Sequence, residues 1–114
     1  MRLEAQKYLF DIQQAANRIA RFCQGKKFEE YRSDELLRSA VERQFEIMGE
    51  ALSQLAKCDA ELADQIKEHR KIIAFRNILI HAYATVDDRI VWGVVEGDLP
   101  ALRASLTQLL PVPK

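Results

Sequence analysis

The chain has 114 residues, 48% hydrophobic and 30% charged, the make-up of an ordinary globular domain. Its 17 basic and 17 acidic residues cancel, which argues against a protein that grips long nucleic acid by charge alone. No apolar run reaches the length of a membrane span, Met1-Arg2-Leu3-Glu4 does not open a secretory signal, and Cys23 and Cys58 lack metal-ligand spacing, so a reduced cytoplasmic protein with one domain over 1–114 is expected.

The first predicted helix runs from Leu3 to about Gln24. Tyr8, Ile12, Ala15, Ile19 and Phe22 recur at helical steps, with Leu9, Ala16 and Cys23 widening the stripe. Gly25 stops it. Lys26 to Arg32 reads as a polar link with two aromatic anchors. Ser33 or Asp34 caps the second helix, which runs to about Lys57. Leu37, Val41, Gln44, Met48, Leu52 and Leu55 mark one stripe, and Leu36, Ala40, Ile47 and Ala51 a neighbouring one. Gly49 in mid-helix costs about 1 kcal/mol relative to alanine, so a close helix approach is expected there.

Asp59 caps a short helix from Ala60 to about Glu68. A further helix covers Lys71 to about His81, with a bend near His69-Arg70. Thr85 to Asp88 is a polar break rich in capping residues. A short helix over Asp88 to Val95 ends at Glu96-Gly97. Asp98 caps the last helix, with Pro100 in its first turn, and Pro111 and Pro113 stop it. No strand-like alternation appears. The expected fold is all-α: two long antiparallel helices with shorter ones packed beside them.

The segment Ile72 to Tyr83 is mostly apolar yet carries Arg76, Asn77, His81 and Tyr83. Buried polar groups without partners are costly, so these must satisfy one another, face a cleft or face a second subunit. Asn77 and His81 are one turn apart, whereas Arg76 and His81 are separated by about 140° on a regular helix. They converge only if the helix loosens at His81, or if two copies meet across a twofold axis.

Histidine exchanges protons near neutral pH, and arginine binds phosphate through two parallel hydrogen bonds. Together they suit metal-free cleavage of RNA through the ribose 2′-hydroxyl. No cofactor is required. The structural alternative has Asn77 and His81 hydrogen-bonded at a helix end and Arg76 paired with Glu46 or Glu50. Spacing alone favours that alternative. The cluster His69-Arg70-Lys71 is either a cleft rim or an exposed helix start. Glu46 and Glu50 are better read as solvated or paired carboxylates than as a cation site. Trp92 reads as core, with base stacking the lesser possibility, and Tyr8 and Tyr31 as structural.

Arg76 to Tyr83, R-N-I-L-I-H-A-Y, resembles the R-x4-H-x-Y motif of HepT-type ribonuclease toxins of the HEPN superfamily. Asp34-Glu35-Leu36-Leu37 with Ala40-Val41-Glu42-Arg43 resembles that family's second-helix opening, and Ile47-Met48-Gly49-Glu50-Ala51 its I-I-G-E-A element. Val91-Trp92 and Asp98-Leu99-Pro100-Ala101-Leu102 resemble its tail. The family's Pro-Trp pair ahead of the motif helix is absent from Glu68-His69-Arg70-Lys71.

The resemblance implies a HEPN helical bundle working as a homodimer, with the two motifs facing each other in a cleft. Arg76 and His81 carry over as the catalytic pair. Asn77 orients the site, and Glu50 and Arg43 support it. Tyr83 matches the tyrosine that a minimal nucleotidyltransferase antitoxin modifies with AMP. The implied partners are that antitoxin and an RNA substrate, tRNA or mRNA, with neither membrane nor DNA. The alternative is a non-catalytic nucleotide-binding subunit of a minimal nucleotidyltransferase.

Overall fold

The computed structural model describes residues 2–110, and they are helical almost throughout. Two long helices, α1 (Leu3–Cys23) and α3 (Glu35–Cys58), pack along each other, joined through the short α2 (Phe28–Ser33). They are antiparallel: Arg2 at the start of α1 donates through Nη1 to the carbonyl of Cys58 at the end of α3, 3.1 Å away. After α4 (Ala60–Asp64), α5 (His69–His81) packs on the other side of α3. A 3₁₀ turn (Tyr83–Thr85) leads to α6 (Asp88–Gly93), and a π-helical segment (Val94–Asp98) joins it to α7 (Leu99–Leu109), which returns to α1. No described helix is long and apolar enough to cross a membrane.

The periodicity of α1 buries Ala5, Leu9, Ile12, Ala15, Ala16, Ile19 and Cys23. The stripe is therefore centred on Leu9, Ile12 and Ala16, while Tyr8 and Phe22 flank it half-buried. Burial in this apolar wall disfavours a thiolate and pushes the Cys23 thiol up to about 11, with Lys26 opposing the rise. In α3 the core face is Leu37, Val41, Phe45, Met48, Leu52 and Leu55. Phe45 fills the centre, edge-on to Phe75 of α5 at 5.2 Å between ring centroids. The second stripe is only partly internal, since Leu36 is 81% exposed. Asp34 caps α3 by accepting from the Leu37 N–H at 3.0 Å, an interaction of about 1 kcal/mol.

Five expectations need correction. Lys26 to Arg32 is not simply a link. It contains α2, started by the Glu30 carboxylate accepting from the Lys27 N–H at 3.0 Å and anchored by the buried Tyr31, whose ring meets Trp92 at 5.2 Å. The helix expected over Ala60 to Glu68 ends at Asp64. The bend falls at Glu68, which adopts a left-handed φ of 67° just before α5. Glu96-Gly97 ends no helix, because the chain remains helical through the π segment. Pro100 has no N–H, and its ring crowds the carbonyl four residues earlier, so a widened turn accommodates it without a break. Asp98 consequently caps nothing and instead binds Lys71 Nζ at 2.9 Å. That contact raises the Lys71 pKa through the hydrogen bond and charge of Asp98. The stop expected at Pro111 and Pro113 lies outside the described residues.

Candidate active site

α3 lies between α1 and α5, and its outward face forms the floor of a groove between them. The groove has a volume of about 300 Å³ and is lined by Tyr8 and Asp11 of α1, Arg43, Ile47, Glu50 and Gln54 of α3, and Arg76 of α5. Arg76 is held in it by two side chains. One Nη lies 2.7 Å from Glu50 Oε2, and the other donates to Asn77 Oδ1 at 2.9 Å. Its Nε is buried without a partner among the described residues. A guanidinium carries five N–H groups, so two engaged Nη hydrogens leave one on each Nη for an anion in the groove.

Gly49 makes this possible. A methyl group at Gly49 would overlap Arg76 Cβ and come within 2.7 Å of its Cγ and 3.3 Å of the Ile72 carbonyl oxygen. The glycine lets α5 approach α3 closely enough for the arginine stem to cross it. The expected close approach is therefore present, and its occupant is Arg76. Of the two carboxylates considered for Arg76, Glu50 is the partner. Glu46 instead meets Arg43 Nη1 at 3.2 Å, and Glu50 also accepts from Gln54 at 2.9 Å.

His81 is the last residue of α5 and is exposed. The helix remains regular up to it, with Ala82 N–H donating to the Ile78 carbonyl at 2.9 Å. The loosening comes after His81, in the 3₁₀ turn. Arg76 and His81 therefore keep their angular separation and do not meet within one chain. Asn77 stands on the outer face with His81 and reaches back to Arg76. Tyr83 is 75% exposed in the turn. Around these polar groups the outward side of α5 also shows apolar surface, with Ile78 49% and Ile80 37% exposed. Ile72, Phe75 and Leu79 form the buried side that fixes the helix on α3.

His69 belongs to the entry of this helix. Its Nδ1–H donates to the Ile66 carbonyl at 3.1 Å, and its Nε2 lies 3.3 Å from Asp64. With Lys71 bound to Asp98, the basic cluster is a structural corner. No group of histidine, cysteine or acidic residues able to hold a metal occurs among the described residues. Tyr8, Asp11 and Gln54 were not identifiable from sequence as groove residues. Their place there depends on the register of α1 against α3, which no local pattern encodes.

These features define a helical bundle with an arginine braced in a surface groove and a histidine and tyrosine displayed at the adjoining helix end. The chain belongs to the HepT-like ribonuclease family, whose model matches residues 12–109. It is 34% identical to a protein of Thermococcus cleftensis named "Probable ribonuclease HepT", over 96% of this chain and 98% of that one. Two further relatives are provisionally named as RNases. One, from Methanocaldococcus jannaschii, is 29% identical over 88% of this chain and 91% of its own length. The other, from Caldanaerobacter subterraneus subsp. tengcongensis, is 31% identical over 90% of this chain and 91% of its own. No solved structure matches the chain.

Proposed function

We propose that the protein is a metal-independent RNA endonuclease, the toxin of a type VII toxin–antitoxin pair, acting in the cytoplasm as a homodimer. The observation that carries this reading is the arrangement of the R-x4-H-x-Y segment: Arg76 braced by Glu50 and Asn77, and His81 and Tyr83 exposed at the same helix end. Arg76 and His81 point in different directions from one regular helix, so a complete site needs two chains. The exposed Ile78 and Ile80 beside the motif supply apolar surface for that association.

In the joint cleft Arg76 holds the scissile phosphate and stabilises the charge that builds on its oxygens. His81 removes the proton of the 2′-hydroxyl, whose oxygen attacks phosphorus. The bond to the 5′-oxygen breaks, and that oxygen takes its proton from water, to which the protonated His81 passes on the proton it removed. The products are a 2′,3′-cyclic phosphate and a 5′-hydroxyl. Asn77 and Glu50 keep the guanidinium in place, and Arg43 lies along the same groove. AMP added to Tyr83 by a minimal nucleotidyltransferase antitoxin would set a bulky anion beside this cleft and silence it.

A second reading, a nucleotide-binding subunit without catalysis, draws on the charge balance of the groove, where Arg43 and Arg76 each already have a glutamate. RNA digestion in EDTA separates the two. Cleavage by the purified chain, abolished in Arg76→Ala and in His81→Ala, supports the nuclease. Nucleotide binding with no cleavage supports the alternative. Intact mass of protein co-expressed with the antitoxin should rise by one or more AMP units, and Tyr83→Phe should not gain them.

A further inference from the structure

A second groove lies on the opposite flank of α1, between that helix and α7. Gln13 and Tyr8 project about 140° apart around α1, so this groove and the Arg76 groove do not share a wall. Clefts of about 330 Å³ and 370 Å³ meet at Asn17 and Arg103. Arg21 joins the lining at one end, and Lys26 lies in the adjoining hollow beside Trp92.

Three cations thus converge on one trough. Among the described residues, none of Arg21, Lys26 and Arg103 is paired with a carboxylate, although the chain as a whole is neutral. Glu96 is the one carboxylate among the described residues of the lining, at the Trp92 end. Arg103 is held in a particular way: its Nε donates to Asn17 Oδ1 at 3.2 Å, which orients the guanidinium, and among the described residues neither terminal nitrogen has a partner. A planar fork anchored at Nε presents two parallel donors, the geometry that matches two oxygens of a phosphate. The trough follows α1 from Gln13 to Gln24, about 17 Å at the helical rise.

We infer that the α1–α7 groove binds the phosphodiester backbone of single-stranded RNA, with Arg103 as its central contact and Arg21 and Lys26 on the same run of phosphates. It holds substrate remote from the Arg76 groove and carries no chemistry. The choice of RNA among polyanions rests on the ribonuclease reading; the cation cluster does not.

Fluorescence anisotropy of a labelled single-stranded RNA tests this, using the full chain carrying His81→Ala so that the RNA stays intact. Binding is measured over a series of sodium chloride concentrations, with and without Arg21→Gln, Lys26→Gln and Arg103→Gln together. Circular dichroism verifies that the variant remains helical. Each phosphate contact on a single strand contributes about 0.7 to the slope of log K against log salt. Removing three should flatten that slope by about 2 and weaken binding at low salt by tenfold or more. An unchanged slope and affinity, or no RNA binding by the parent chain, overturns the proposal. Displacement of the RNA by polyglutamate as readily as by unlabelled RNA assigns the groove to acidic protein and also overturns it. Cleavage by the wild-type chain is scored separately. A flattened slope without any cleavage refutes the nuclease reading and leaves the groove standing.

Discussion

Gly49 and Arg76 are interlocked: the glycine on α3 has no side chain because the stem of the arginine on α5 occupies that space. In an open helix, replacing glycine by alanine gains about 1 kcal/mol. At position 49 the sign should reverse. Gly49→Ala must push α5 away or turn Arg76 out of the groove, and overpacking of this kind costs about 1–3 kcal/mol. A urea midpoint lower than wild type, together with reduced RNA cleavage, is expected. A more stable protein would show that the two helices do not meet as described.

The Glu50–Arg76 pair is partly solvated, with the arginine side chain 24% and the glutamate 47% exposed. Such a pair contributes under about 1 kcal/mol to stability. Glu50→Gln should therefore leave thermal unfolding almost unchanged. Its effect should fall on turnover, since a guanidinium with one fewer anchor holds the phosphate less well. A drop in kcat of about tenfold with little change in KM is the expected pattern, a loss of about 1.4 kcal/mol of transition-state stabilisation. Unaltered kcat would reduce Glu50 to a surface partner.

Glu42 on α3 is crowded. Burial raises its pKa first, and the charges of Asp88 and Glu46 raise it further, against the relief given by Arg38. A carboxyl whose folded pKa is raised binds its proton more tightly in the native state than in the unfolded chain. Below the usual carboxylate range both states are protonated and nothing is lost. As pH rises through the raised value, the native state must hold an unfavourable charge, so stability falls. Glu42→Gln should accordingly raise the melting temperature at pH 7 and have little effect near pH 4. Thermal melts of both proteins across that interval check it, and an equal gain at both ends would rule out titration as the cause.

Arg76 and His81 project about 140° apart from one regular helix, and the proposed two-chain site has a consequence for mixed dimers. Arg76→Ala and His81→Ala are each expected to be inactive. Dissociated and reassociated together, they form dimers in which one cleft combines an intact Arg76 from one chain with an intact His81 from the other. Random pairing then restores about a quarter of the wild-type activity, since about half the dimers are mixed and each has one complete cleft of two. Mixtures as inactive as either parent would confine the site to a single chain.

Much of the fold and part of the candidate site were legible in the sequence. The long helices showed because apolar residues at three- and four-residue steps leave a strong periodic record. The R-x4-H-x-Y segment showed because arginine, histidine and tyrosine are out of place in an apolar run. Three features did not show, each for a physical reason. α2 lacks the usual capping residue and depends on Glu30 and the burial of Tyr31. The path from Glu96 to Pro100 carries glycine and proline, the ordinary signals of a break, yet a π turn carries the helix through. The partner of Arg76 remained open between Glu46 and Glu50 because it depends on the register of α5 against α3, set by Gly49, Phe45 and Phe75 in three dimensions. The same holds for Tyr8 and Arg103, whose grooves exist only after α1 has found both of its neighbours.

The nuclease reading rests on the ribose 2′-hydroxyl as nucleophile. A synthetic RNA containing one preferred cut site, and a copy with a single 2′-deoxy sugar immediately 5′ of that cut, should be incubated with the protein in EDTA. The expected result is cleavage of the first to a 2′,3′-cyclic phosphate and a 5′-hydroxyl, and none at the modified position of the second. Cutting of the deoxy substrate at that position, or 3′-hydroxyl and 5′-phosphate ends, would contradict it.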